Sequence, residues 1–370
     1  MTVNEVIDVK GKSSHIPDTM KAAYLKQVKE VEVEKIKVPS VSGKEVLVKM
    51  MAVGICGSDT HYFNHGSIGK RMVQFPHIQG HECAGEIVAI GEEVTRFNVG
   101  DRVAIEPGVP CNTCEWCKLG KYNLCPEVQF LSTPPVKGAF VQYLKHREDF
   151  LFQIPDELSY EVATLAEPLS VGIHAFKRGS LEPGQTVFIS GMGPVGLMAI
   201  LAAKSFGAKH IIVSDLEELR LETAKKFGAT EIINIIEEEL ESRLNEITDC
   251  LGVDLVIETS GNTNALSSSI KYVKRGGNIV SIGFPAQDQV PLDITYMLQN
   301  EIDLYTVYRY TNTYPLAIRI LESSIQTVQS IITDRYDLDD IQQAMDKVSN
   351  DRKNTLKVVV FPNNKGRVLK

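Results

Sequence analysis

Four cysteines stand in one short stretch, Cys111-x-x-Cys114-x-x-Cys117-x7-Cys125. Thiolates this closely spaced suit a closed tetrahedral zinc site, which has no open coordination position and therefore stabilises rather than reacts. An upstream set has a different character. Gly54-Ile55-Cys56-Gly57-Ser58-Asp59-x-His61 is followed by Gly80-His81-Glu82. Cys56 and His81 are good zinc ligands and Glu82 offers an oxygen, and about three protein ligands with one open position make a catalytic zinc. A third stretch runs from 185 to 215. Gly191-Met192-Gly193-Pro194-Val195-Gly196 lies between a predicted strand (185–190) and a predicted helix (197–206), and a second strand (210–214) ends at Asp215. That is the dinucleotide fingerprint in its proper setting.

Each residue of the fingerprint has a physical task. Gly191 would allow the tight turn out of the strand, Gly193 would let the backbone approach a pyrophosphate, and Gly196 would let the helix pack closely on the sheet. The helix N-terminus offers free N–H groups and a positive dipole end to phosphates. Asp215 should accept hydrogen bonds from the adenosine ribose hydroxyls. A carboxylate there would repel a 2′-phosphate, which favours NAD over NADP, although Arg220 one turn into the next helix could meet a phosphate. The alternative, a glycine-rich turn that binds nothing, is opposed by strand, helix, second strand and acid occurring together.

Composition narrows the class. The 370 residues are 43% hydrophobic and 23% charged, with a net charge of −8, which argues against nucleic acid or anionic membrane surfaces as partners. A nucleic-acid-binding zinc ribbon is disfavoured on the same ground. A disulfide reading of the cysteines needs an oxidising compartment. The segment 1–21 is polar and mixed in charge with no apolar core of a signal peptide, and no run is long enough to span a membrane. The expectation is a cytoplasmic protein with zinc-bound thiolates.

The residues also carry a resemblance. Gly80-His81-Glu82-x2-Gly85-x5-Gly91-x2-Val94 is similar to the zinc signature of the medium-chain alcohol dehydrogenase superfamily, and the spacing from Cys111 to Cys125 is similar to its structural-zinc lobe. Gly100-Asp101-Arg102-Val103 follows where that superfamily has it. Within it the chain resembles the polyol branch, the sorbitol (L-iditol 2-) dehydrogenases. The carrying segments are Val53-Gly54-Ile55-Cys56-Gly57-Ser58-Asp59-x-His61-Tyr62, Arg102-Val103-Ala104-Ile105-Glu106-Pro107-Gly108, Ala166-Glu167-Pro168-Leu169-Ser170-Val171-Gly172-Ile173-His174 and Tyr308-Arg309-Tyr310-x-Asn312-Thr313-Tyr314-Pro315. The resemblance covers about Met20 to Pro362.

It implies an α/β fold of two parts, a GroES-like β-rich catalytic domain and a Rossmann domain with a doubly wound parallel sheet. It implies two Zn2+ per chain and NAD. Where the alcohol dehydrogenases have a second catalytic cysteine, this chain has Glu167-Pro168, so the catalytic set becomes Cys56, His81 and Glu82, with Glu167 reaching the metal directly or through water. Tyr62, Glu167, Arg309 and Tyr310 match positions that contact polyol or cofactor, and Phe130 and Thr133 line the same cleft. Arg309 could instead bind the nicotinamide-side phosphate or ribose. Val195, Asp215, Arg220, Ile282, Gly283, Phe284 and Val307 align with cofactor contacts. The branch is usually homotetrameric. Cys83 and Cys250 are left over and are expected to be small core residues. His174 is expected to pack.

The chemistry implied is oxidation of a polyol at C2 to the ketose, with hydride transfer to NAD. Zinc acts as a Lewis acid on the alcohol. Ser58, two residues after Cys56, can reach the metal-bound oxygen, and with His61 it resembles the proton relay of the alcohol dehydrogenases; a water near Glu167 is the other route. Sorbitol, xylitol, L-iditol, ribitol and arabitol are the substrates in view. L-threonine 3-dehydrogenase or butanediol dehydrogenase is the enzymatic alternative. A zinc-free quinone reductase would lack Cys56 and the thiolate lobe, and a non-catalytic NAD-binding protein would be expected to have lost one of Cys56, His81 or Glu82.

The elements that must position these residues fall into two patterns. From Lys21 to Ile154, short alternating runs broken by Gly and Pro predict irregular strands. From 169 to 302 the pattern becomes strand–helix–strand, with strands at 187–190, 211–214, 231–235, 255–258 and 278–282 and a helix at 218–227. Then come a strand, helices at 314–322 and 338–348, and a strand at 355–361. The expected organisation is a mobile tail (1–19), a catalytic domain made of 20–168 and 303–370, and a nucleotide domain (169–302) inserted between its parts.

Overall fold

The computed structural model describes residues 5–7, 13–285 and 287–363. Much of the expected mobile tail (1–4 and 8–12) lies outside the described residues; between those gaps Glu5–Ile7 pairs antiparallel with Ser13–His15. Contacts group the chain into two compact units, one running to Glu167 and resuming at Leu321, the other spanning Pro168–Ile320.

The first unit is built on a seven-stranded sheet. Its elements in chain order are β1 (Glu45–Gly54), α1 (Gly57–His65), β2 (Glu82–Ile90), β3 (Arg102–Ile105), β4 (Tyr143–Arg147) and β5 (Leu151–Gln153). The strands run β5-β3-β2-β1, continue into two strands from the C-terminal segment, and β4 also pairs with β1. Val46, Val48, Met50, Val53, Ile87, Val103 and Ile105 are fully or almost fully buried. Full burial of such a side chain stabilises by roughly 1.5–3 kcal/mol, so the alternating runs become a sheet packed on one hydrophobic core.

The helix α2 (Ala166–Arg178), whose first two residues group with the first unit, leads into β6 (Thr186–Ser190), α3 (Pro194–Ser205), β7 (His210–Asp215), α4 (Glu218–Phe227), β8 (Glu231–Asn234), β9 (Val253–Glu258), β10 (Val273–Ser281) and β11 (Asp303–Thr306) of the second. The sheet order is β8-β7-β6-β9-β10-β11, and every pairing is parallel. The order reverses beside β6, which is the doubly wound arrangement. Parallel strands are covered on both faces, and Val187, Phe188, Ile189, Ile212 and Val213 are accordingly buried. The chain returns to the first unit through β12 (Ile332–Asp337) and β13 (Lys357–Phe361), which pair in parallel, and β13 lies antiparallel to β1.

Two expectations change. The boundary expected at 302 moves to 320, because β11 completes the parallel sheet against β10. Cys83 is buried as expected, but Cys250 is exposed, on a left-handed turn (φ 60°) after the helix Leu240–Ile247.

Candidate metal centres and nucleotide site

The candidate reactive set is brought together by strand register. β1 ends at Gly54 and α1 begins at Gly57, which puts Cys56 at the helix N-cap. β2 opens at Glu82, and Gly54 lies opposite Glu82 in the ladder. The two short sequences are thereby laid side by side. One ligand atom from each of Cys56, His81 and Glu82 lies within 4.8 Å of the others.

Asp59 organises this corner. Its carboxylate accepts from the Cys56 amide (3.0 Å), the Gly80 amide (3.1 Å) and the Ser132 hydroxyl (3.0 Å), and its backbone carbonyl accepts from the Gln79 side chain (2.8 Å). It is fully buried and 3.8 Å from His81 Nδ1. Sequence reading passed over it; a carboxylate three residues after an N-cap ligand is the signal that could have found it.

The electrostatics ask for a cation. Burial lowers the proton affinity of His81, but Asp59, Cys56 and Glu167 outweigh it and raise the pKa to about 10. His81 Nδ1 is buried and makes no hydrogen bond among the described residues. A thiol, an imidazole and a carboxylate that attract positive charge this strongly fit a divalent zinc, which displaces protons from its ligands on binding.

Other predicted residues are placed around this set. Glu167 sits in the first turn of α2, buried, outside the close ligand group but near enough to act on His81. The Phe130 ring lies 5.9 Å from that of His81. Thr133 is half-buried, its amide donating to the Phe130 carbonyl (3.0 Å). Ser58 is half-buried on α1, whereas His61 is exposed, its ring 6.0 Å from that of His65. Tyr62 packs in the unit's core. Two further buried groups went unread: Glu106, which accepts from the Tyr122 hydroxyl (2.7 Å), and Lys357, whose ammonium is paired with Glu82. Burial raises the Glu106 pKa to about 7, partly offset by the Tyr122 hydrogen bond.

The thiolate lobe also closes. The sulfurs of Cys111, Cys114, Cys117 and Cys125 all lie within 4.8 Å of one another. Hydrogen bonds from Thr113 and the Cys114 amide pull Cys111 down to about 6, while burial and neighbouring sulfurs push Cys117 up to about 12. Four sulfurs that cannot all ionise together without a cation fit a structural zinc.

In the second unit the fingerprint takes its expected form. Gly191 has φ +89° directly after β6, and a side chain on Gly196 would run into the Gly191 carbonyl. Gly193 is the N-cap of α3 with Pro194 at the first position, and a methyl group there would meet nothing within 4 Å. The turn therefore leaves an open face at a helix N-terminus, where a pyrophosphate fits. Asp215 ends β7 and accepts from the amides of Met192, Leu216 and Glu217, with Arg220 at 3.8 Å. Ile282, Gly283 and Phe284 follow β10, and the Val307 amide donates to the Ser281 carbonyl (3.0 Å). Arg309 is left-handed (φ 58°) with its guanidinium 4.8 Å from the Tyr308 ring centre. Tyr310 is buried against Tyr314. His174, half-buried on α2, is pushed down to about 4 by burial and by Arg178 and Lys177.

Comparison with known proteins agrees with both halves. Residues 42–156 match the family described as alcohol dehydrogenase GroES-like domain, and 194–323 the family described as zinc-binding dehydrogenase. The chain is 55% identical to a Bacillus subtilis sorbitol dehydrogenase over 94% of its own length and 99% of the relative's. It is 39% identical to the Mus musculus sorbitol dehydrogenase, covering 86% and 89% of the two chains. Among solved structures, an Escherichia coli oxidoreductase of unknown specificity superposes with a TM-score of 0.89 at 37% identity, covering 94% of this chain and 100% of that one.

Proposed function

Because this chain belongs to the zinc-dependent medium-chain dehydrogenase family, we propose that it oxidises a polyol at C2 to the ketose and passes the hydride to NAD. The observation that carries this is the Cys56–His81–Glu82 group, with His81 and Glu82 buried and Cys56 half-buried, a one-thiolate set with Glu167 close by, in a chain 55% identical to a sorbitol dehydrogenase.

In this reading Cys56, His81 and Glu82 hold the catalytic zinc, and Cys111, Cys114, Cys117 and Cys125 hold a structural one. When bound, the catalytic zinc polarises the carbinol oxygen as a Lewis acid. The chain's own residues do the rest. Asp59 fixes Cys56 and His81 through the amides that flank them. Ser58 relays the proton, accepting the one released by the substrate hydroxyl as it donates its own to His61, which passes it toward solvent; a water near Glu167 is the other route. Phe130 excludes water beside His81. Resemblance to the polyol branch is what supports Tyr62, Thr133, Glu167, Arg309 and Tyr310 as the polar partners a polyol needs. Gly191, Gly193, Pro194, Val195, Gly196, Asp215, Arg220, Ile282, Gly283, Phe284 and Val307 receive NAD. Resemblance to the polyol branch supports a homotetramer, and cysteines read as zinc-bound thiolates rather than disulfides support a cytoplasmic location. Among the described residues no helix is long and apolar enough to cross a membrane.

NADH formation across a polyol panel, with L-threonine, 2,3-butanediol and ethanol as controls, tests the reading. Chelator-sensitive activity on polyols is expected. Activity confined to threonine or butanediol would move the substrate and keep the fold.

A further inference from the structure

We propose that Lys357 is a positioning residue of the reactive metal site, holding the Glu82 carboxylate so that one oxygen is left for the metal. The proposal rests on the reading of Cys56, His81 and Glu82 as ligands.

Lys357 is a fully buried lysine, and side chains of its type are almost never fully buried unless paired. Its ammonium lies against Glu82 Oε2, and Glu82 is itself 1% exposed. The same ammonium donates to the Ile55 carbonyl at 3.0 Å. One cation therefore ties together the carboxylate ligand and the peptide unit immediately before the thiolate ligand.

The sheet is shaped around this pair. Gly54 lies opposite Glu82 on one side and Val359 on the other, so β13 delivers Lys357 to the end of β1 where the ligands converge. A Cβ on Gly54 would run into the Glu82 carboxylate and come within 2.8 Å of Lys357 Cε. A glycine at this place keeps the room that the pair occupies. Glu82 is common to both groups, facing the other ligand atoms within 4.8 Å and the ammonium. A carboxylate with one oxygen engaged by a fixed cation has fewer orientations, which is how a partner outside the ligand set strengthens a metal site. The returning C-terminal strand thus completes the centre rather than only the sheet.

The test uses Lys357→Met in the full-length enzyme, with zinc competition against a chelator and the visible absorption of the Co(II)-substituted protein as readouts. K357M is expected to hold the reactive-site metal roughly 10–100-fold less tightly, to change the Co(II) spectrum, and to leave NAD binding and the thiolate-site metal in place. Lys357→Arg is expected to recover most of the affinity. Glu82→Ala separates the two claims. If E82A keeps both metals at wild-type affinity, the ligand reading itself fails. If E82A loses one metal while K357M keeps wild-type affinity and spectrum, Lys357 has no positioning role. Should K357M not fold, Gly54→Ala parts the same pair from the other side, and wild-type affinity and spectrum in G54A would equally overturn the proposal.

Discussion

The amide of Met192 donates to Asp215 Oδ2 at 2.6 Å, across 23 positions of sequence. The residue expected to bind ribose therefore also anchors the glycine turn expected to bind pyrophosphate. With Leu216 and Glu217 held by its other oxygen, the Asp215 carboxylate is set in place before any ligand arrives.

Asp215→Ala should consequently do two things. It should weaken NAD by about 1.5–3 kcal/mol, the range for hydrogen bonds to a charged group, and relax discrimination against NADP, because Arg220 loses its carboxylate at 3.8 Å and is released toward a phosphate. Dissociation constants for both nucleotides, read by fluorescence, check it. An unchanged preference would remove Asp215 as the ribose acceptor.

Cys56→Ser and Cys114→Ser should separate the two metal centres. C56S is expected to lose turnover with NAD binding intact. C114S is expected to lose the lobe metal and melt earlier, since a structural zinc contributes folding free energy directly. Elemental analysis should show each variant with one metal fewer. Full turnover by C56S would take zinc out of the mechanism.

Arg335 meets Glu161 through two bonds, at 2.7 and 3.0 Å, and Glu161 is 4% exposed. Removing one partner of such a pair leaves a buried charge without compensation. Arg335→Met is expected to cost about 3 kcal/mol in urea unfolding, and a loss below about 1 kcal/mol would mean that solvent screens the pair.

His146 gives a pH dependence of known sign. Its ring is buried and donates to the Glu106 carbonyl (2.9 Å), and burial depresses its pKa from 6.5 to about 4. The neutral ring is favoured by folding, so this contribution is present above pH 6.5 and is lost as pH falls toward 4. The loss amounts to roughly 3 kcal/mol at about 1.4 kcal/mol per unit. Thermal melts of wild type and His146→Asn should converge as the pH is lowered through that window; parallel curves would contradict the assignment. Glu106 acts oppositely, its stabilisation draining as pH rises from 4.5 to about 7, so the difference between the two proteins is the informative quantity.

Local chemistry made much of this protein legible. The helices expected at 218–227 and 314–322 have those bounds in the structure, because apolar periodicity and a glycine after the first are signals within one segment. The fingerprint and the four-cysteine lobe are equally local: their residues lie within a few turns of chain, and their spacing nearly dictates which atoms meet. Other features had no such signature. Nothing near Lys357 in sequence marks it, since its partner Glu82 is brought to it through two strand registers. Glu106 and Tyr122 sit 16 positions apart and meet only because the lobe folds back on the sheet.

The sequence by itself determined the candidate ligand types, the nucleotide fingerprint and the parallel sheet, all of which rest on short-range spacing and periodicity. Only the tertiary structure decided that β11 joins the nucleotide unit, that Cys250 faces solvent, that Asp59 braces both halves of the reactive set, and that a buried lysine from the last strand stands behind Glu82. These depend on which strands pair and in what register, a choice made by burial of the whole core and not by any one segment's residues.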